Sequence, residues 1–295
     1  MRSNLLLLLA AAIWGFAFVA QRVGMDHVGP FTFNGVRFAL GGLSLLPLMF
    51  FFRNNSPSTG DARPKSGWRV GAVAGTILFI AASLQQAGMV YTTAGKAAFI
   101  TCLYIVLVPI FGILLRHRPS LSTWMGSAVT VVGLYLLSIK EGFTISHGDL
   151  LELLGAFFWT AHILLIDRYS RAVDTLKLAF FQFITCSLLS LGAAFWFETV
   201  SLNGILAALV PILYGGLCSV GIAYTLQIVG QKNASPAHAA IILSMETVFG
   251  ALGGYLILSE TLGSREIVGC ALMLTGMLLS QLYIIKPKKA EKLTG

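Results

Sequence analysis

Glu246 has the strongest claim to chemistry in this sequence. It stands near the middle of Pro236 to Glu260, PAHAAIILSMETVFGALGGYLILSE. That stretch is long and apolar enough to cross a bilayer, which takes about 20 residues. A carboxylate at such depth costs at least ~2.5 kcal/mol on insertion, so it must face protein or water rather than lipid. There it could hold a substrate amine or cycle a proton; the alternative is an acid neutralised inside a helix bundle for stability alone. Gly250, Ala251, Gly253 and Gly254 follow it and make a smooth face for close helix contact.

Other polar and aromatic side chains also fall inside apolar runs. Arg37 lies a few turns into the second run, where it could grip a carboxylate or phosphate with both arms of its guanidinium, or instead snorkel to the interface. Lys96 falls near the outer end of the fourth run, Tyr104 inside it, His162 deep in the sixth, and His238 near the start of the ninth. Trp14 and Trp159 lie within their runs, away from the interfacial belt where tryptophan is expected, and could wall a cavity. Gln85, Gln86, Gln182 and Gln227 either bond a substrate or join helices at ~0.6 kcal/mol each. Glu198 and Glu260 fall at run ends and read as interfacial.

The elements that carry these residues are apolar helices. Charged residues make up 11% of the 295 residues, against about 25% in a soluble domain, too few to cover a water-facing surface. Ten runs are marked, at roughly 3–22, 30–52, 68–90, 95–115, 121–139, 149–166, 176–197, 204–230, 236–258 and 264–285. They are too long and too evenly apolar for the ~10-residue alternating strands of a barrel. With the N-terminus inside, fifteen of the twenty Lys and Arg fall on the inner side, which places both termini in the cytoplasm. Arg53 to Lys65 reads as a cytoplasmic loop, and the net charge of +8 as an orientation and lipid-headgroup signal, with no nucleic-acid partner. The cysteines Cys102, Cys186, Cys218 and Cys270 form no C-x-x-C pair and read as packing residues. No phosphate-binding loop, zinc motif or hydrolase triad appears, so neither a cofactor nor an enzymatic activity is expected; a membrane enzyme acting on lipid-linked substrates is the weaker alternative.

The two halves resemble each other. A shift of 142 lays Leu84-Gln85 on Leu226-Gln227, Lys96 on His238, Tyr104 on Glu246 and Gly112 on Gly254. A shift of 143 lays Gly126 and Gly133 on Gly269 and Gly276, and a shift of 145 lays Trp14 on Trp159 and Arg37-Phe38 on Gln182-Phe183. The reading is a five-helix repeat over 3–139, an external linker over 140–148, a second repeat over 149–286 and a basic cytoplasmic tail over 287–295. Five crossings per repeat invert the second copy, an arrangement that puts a substrate site near the midplane between the halves.

The chain resembles the EamA family of the drug/metabolite transporter superfamily over about residues 3–286. The resemblance is carried by Trp14-Gly15, Arg37-Phe38, the runs Thr92 to Gly112 and Leu243 to Leu262, and the glycine pairs of the fifth and tenth runs. It implies a ten-helix basket around a central cavity, with those two runs peripheral. It also implies export or exchange of metabolites such as amino acids, nucleobases or sugar phosphates across the cytoplasmic (inner) membrane. The first run lacks the acid that small four-helix multidrug relatives use for proton exchange; it offers Trp14 and Gln21. Arg37 and Lys96 are the main candidates for the basic residues that the sugar-phosphate branch uses in its cavity. The expected cavity residues are Glu246, Tyr104, Arg37, Trp14, Trp159, Lys96, His162 and His238. The expected partners are a small-molecule substrate and membrane lipids, with proton coupling through Glu246 and no obligatory protein partner. A facilitator of the same fold without ion coupling is the alternative.

Overall fold

A computed structural model describes residues 2–51, 67–91, 94–139, 146–257 and 263–285. The loop Arg53 to Lys65, most of the linker, Glu260, the basic tail and the side chain of Lys96 lie outside the described residues. Every described element is a helix. In chain order they are α1 (Arg2–Met25), α2 (Pro30–Phe51), α3 (Gly67–Tyr91), α4 (Ala94–Thr101), α5 (Tyr104–Leu114), α6 (Leu121–Ser138), α7 (His147–Tyr169), α8 (Thr175–Phe197), α9 (Leu202–Ala207) and α10 (Leu209–Leu213). A π-helical segment, Tyr214–Tyr224, leads into α11 (Thr225–Gln231), followed by α12 (Pro236–Leu243), α13 (Glu246–Ile257) and α14 (Ser264–Ile285).

Local sequence starts and stops these helices. Ser120, Ser146, Asp174 and Ser235 each accept a backbone N–H at the first turn of α6, α7, α8 and α12, with Asp149 completing a capping box on α7 and Pro236 opening α12. α5 closes with His117 N–H on Gly112 O, and Arg116 takes the left-handed conformation (φ 64°) that this closure requires. Glu198 caps α2 from another element. Its two carboxylate oxygens accept from Phe31 N–H (2.7 Å), Thr32 N–H (2.8 Å) and Thr32 Oγ1 (2.7 Å), where the helix dipole favours an anion.

Eight helical segments among the described residues are long and apolar enough to cross a membrane: Arg2–Met25, Pro30–Phe51, Gly67–Tyr91, Ala97–Leu114, His147–Tyr169, Thr175–Phe197, Leu209–Gln231 and Pro236–Ile257. Leu121–Leu137 is a shorter apolar helix, and α14 runs for 22 residues. The surface is inverted relative to a soluble protein. Phe50, Phe51, Leu121, Phe195, Trp196 and Val210 stand exposed, while Asn34, Gln86, Glu152, His162 and Gln182 are fully buried. Only a hydrocarbon surround makes that arrangement favourable, so this is a multi-pass membrane protein.

Small residues set the close contacts. α2 packs on α8 and on the π-helical segment, α3 on α7 and α8, and α1 on α13. α6 and α14 pack chiefly on each other. A Cβ on Gly133 would lie 2.6 Å from Gly269 O, and one on Gly126 would lie 2.7 Å from Gly276 O, so these backbones touch directly.

Candidate functional site

Two mid-span breaks build the site. α4 gives way to α5 at Cys102-Leu103, and α12 gives way to α13 at Ser244-Met245. At each break the backbone tightens by one turn: Leu103 N–H bonds Ile100 O, and Met245 N–H bonds Ile242 O. These are three-residue bonds of the kind that mark hinges within helices. Ser244 and Thr247 stabilise the second break by donating their hydroxyls to Ile241 O and Ser244 O. Tyr104 and Glu246 are therefore each the first residue of a half-helix. They meet: Tyr104 OH donates to Glu246 Oε1 at 3.1 Å, and Cys102 Sγ lies 3.6 Å from the same oxygen. α1 holds Glu246 in place, because a Cβ on Gly15 would come within 2.6 Å of Glu246 O.

Glu246 faces a cavity of about 510 Å³, its solvent-open part included. Trp14, Arg37, Tyr104 and Trp159 share its wall with Gln21, Gln85, Thr101, Ser219, Tyr224 and Gln227. α6 and α14 contribute no lining residue. Trp14 donates Nε1–H to Ser219 O at 3.1 Å, a carbonyl of the π-helical segment, and its ring lies 4.6 Å from that of Tyr224. Trp159 stacks on Tyr224 at 15° and 6.4 Å. Wider π winding displaces the backbone from α register, which aims Ser219 O and the Tyr224 ring inward.

Arg37 is buried at 4% exposure, and its Nε has no hydrogen-bond partner. Its guanidinium lies 5.4 Å from the Phe33 ring centroid and 5.1 Å from that of Phe38. Such contacts contribute roughly 0.5–2 kcal/mol, well short of replacing a counter-ion. Among the described residues the one ion pair is His117 with Asp167 at 3.3 Å, so Arg37 and Glu246 both stand without an opposite charge within 4 Å.

His162 and His238 stand outside this wall. His162 stands one layer behind the wall, bonding Gln182 Oε1 at 3.1 Å with its ring edge-on to Trp159 and Tyr224. His238 bonds Ser280 Oγ at 3.1 Å and Asn4 Oδ1 at 3.2 Å, joining α12 to α14 and α1 away from the cavity. Lys96 lies on α4.

Residues 1–139 and 146–282 both match the EamA-like transporter family. The chain belongs to that family. This EamA protein is 32% identical to an uncharacterized transporter of Archaeoglobus fulgidus, over 96% of this chain and 86% of the relative. It is 25% identical to the uncharacterized inner membrane transporter YedA of Escherichia coli K12, over 86% of this chain and 82% of the relative. A solved crystal structure superposes with a TM-score of 0.78 over 95% of this chain and 96% of that one, at 19% identity, and so shares the fold.

Sequence reasoning about this EamA protein passed over Tyr224, Thr101, Ser219 and Glu152. Tyr224 gives no signal inside a long apolar run, because its importance depends on π winding. Thr101 and Ser219 are ordinary small polar residues until the α4 break and the Trp14 bond reveal them. Glu152 was detectable as an acid within an apolar run. Among the described residues, the cavity wall offers one fixed cation, Arg37, one carboxyl group, Glu246, and aromatic side chains. That set can bind a small solute carrying both charges and exclude water around it. Among the described residues no group of His, Cys, Asp or Glu could hold a metal ion.

Proposed function

We propose that this protein is a secondary transporter of small zwitterionic metabolites, amino acids first among them. The observation that carries this reading is that Arg37 and Glu246, each without an opposite charge within 4 Å among the described residues, line one aromatic-walled cavity. A free amino acid has a carboxylate for the guanidinium and an ammonium for the carboxylate. Trp14, Trp159 and Tyr224 can contact an apolar side chain or an ammonium face-on. A doubly charged phosphate would meet one guanidinium, Arg37, among the described lining residues. Export across the cytoplasmic membrane is the direction that fits the family resemblance, and Glu246, a carboxyl group on the cavity wall, is the group that would couple it to protons.

The working cycle is alternating access. Residues 3–139 and 149–286 act as two inverted five-helix halves, with α6 and α14 completing ten crossings and both termini in the cytoplasm. Supporting this are the two family matches with nearly those bounds, the breaks at Cys102 and Ser244, 142 residues apart, and the glycine contacts of α6 with α14. One chain supplies both walls of the path, so no second copy is required.

The test is solute counterflow in proteoliposomes preloaded in turn with amino acids, nucleobases and sugar phosphates. Exchange confined to amino acids is the expected result. Exchange of nucleobases or sugar phosphates instead, or silence across the panel from folded protein, would refute the substrate reading.

A further inference from the structure

Glu152 has no part in the cavity wall, yet its surroundings are specific. It is fully buried on α7. Its Oε2 accepts from Thr101 Oγ1 at 2.7 Å, and Gln85 Nε2 donates to that same hydroxyl at 3.4 Å. Its Oε1 is buried without a hydrogen-bond partner. Gly88 makes the room, since a Cβ there would come within 2.8 Å of Oε1. No Lys, Arg or His among the described residues lies within 4 Å of it.

The titratable groups around it are few. Asp149, one turn earlier on α7, is close enough to act on it electrostatically, as is Cys102 at the end of α4. α3 presents the neutral Gln85 and Gly88. On α5, Tyr104 is engaged by Glu246. α11 carries no titratable residue, and α12 carries His238, held by Asn4 and Ser280. The side chain of Lys96 on α4 lies outside the described residues.

Gln85 and Thr101 line the cavity, so a hydrogen-bonded chain runs from the cavity wall to Glu152. The residue after Thr101 is Cys102, which touches Glu246. The α4–α5 break thus hands consecutive side chains to two acids. We propose that Glu152 is a second proton-binding carboxyl group, wired to the cavity through Thr101 and Gln85 and linked to Glu246 through the Thr101-Cys102 junction. This builds on the transport reading, in which the cavity admits water and solute.

The step balances simply. A proton from cavity water adds to the Glu152 carboxylate and later returns to water, and no other covalent bond forms or breaks. With Glu152 ionised, the donors run from Gln85 to Thr101 to Glu152. A protonated carboxyl group can donate to Thr101 Oγ1 instead, which frees the Thr101 hydroxyl hydrogen to turn toward the cavity. The state of a buried acid is thereby presented to whatever occupies the cavity.

The test uses the proton itself as probe, so it needs neither a substrate nor active transport. The full chain in lipid is titrated with pH while the infrared carbonyl band of protonated carboxyl groups is read. Glu152→Gln should remove one titrating component. Glu246→Gln should remove a different one and displace the midpoint of the first. Thr101→Val keeps both acids and should displace the Glu152 midpoint at least several-fold in proton concentration, and it decides the matter if Glu152→Gln does not fold. A Glu152→Gln titration that overlays the wild type would overturn the proposal. So would a Glu152 midpoint indifferent to Thr101→Val and Glu246→Gln. Failed counterflow leaves this titration unaffected, so the two readings fail separately.

Discussion

Arg37 and Glu246 line one cavity without forming an ion pair with each other, and that arrangement sets what each substitution should do. Truncating one partner of a charged hydrogen bond costs roughly 1.5–3 kcal/mol, and each 1.4 kcal/mol is about tenfold in affinity. Arg37→Gln should therefore raise KM for a carboxylate-bearing solute about tenfold or more. Arg37→Lys should recover only part of this, because a point charge cannot make the two-armed contact. Glu246→Gln should weaken solutes that carry an ammonium by a similar factor. It should also remove the part of the pH profile owed to that acid, since the amide stays neutral at every pH. Counterflow rates measured against concentration and pH check all three. Much of this site was legible in the sequence, because a lone acid, arginine or tryptophan inside an apolar run has few bland explanations in a membrane. His238 shows where that reasoning ends: its type and depth resemble those of a site residue, yet Asn4 and Ser280 satisfy both ring nitrogens.

At the scale of elements, the two breaks do the positioning, and the sequence hides them. Neither Cys102-Leu103 nor Ser244-Met245 contains a proline or glycine, whereas Pro109 lies inside α5 without ending it. The breaks follow from tertiary contact, with Gly15 admitting the turn at Glu246 and Thr101 bonded across to α7. Enlarging Gly15 presses on Phe249 Cβ and on backbone atoms of Glu246 and Gly250, none of them the far end of a flexible side chain. Gly15→Val should cost about 1–3 kcal/mol through overpacking and also cut counterflow, because it moves the cavity acid. Gly133→Val on α6 should lower the melting temperature by a comparable amount while counterflow per folded molecule persists, since α6 does not line the cavity. Equal transport loss in both variants would contradict the division between a cavity-building contact and a peripheral one. Glu198→Ala strips three accepted bonds from the start of α2 and should destabilise by about 1–2 kcal/mol, the range of a lost cap, as a thermal melt in detergent would show. An acid at a run end reads as interfacial from sequence, and only the fold reveals that it caps a helix 166 residues away.

On the scale of the whole molecule, hydropathy carries the helical membrane architecture, because a bilayer leaves few alternatives to a bundle of long apolar helices, while the distribution of Lys and Arg makes a prediction about orientation. Reporter domains fused to each end should both be found on the cytoplasmic side; one on the outer side would contradict the ten-crossing reading. The central claim is that one solute bridges Arg37 and Glu246. The most direct measurement is counterflow of a zwitterionic amino acid compared with its decarboxylated amine and its deaminated acid, in wild type, Arg37→Gln and Glu246→Gln. The account predicts that wild type exchanges the zwitterion far faster than either trimmed analogue. It also predicts that Arg37→Gln narrows the gap to the amine, and that Glu246→Gln narrows the gap to the acid. Equal exchange of all three solutes by wild type, or a zwitterion preference that neither variant alters, would contradict it.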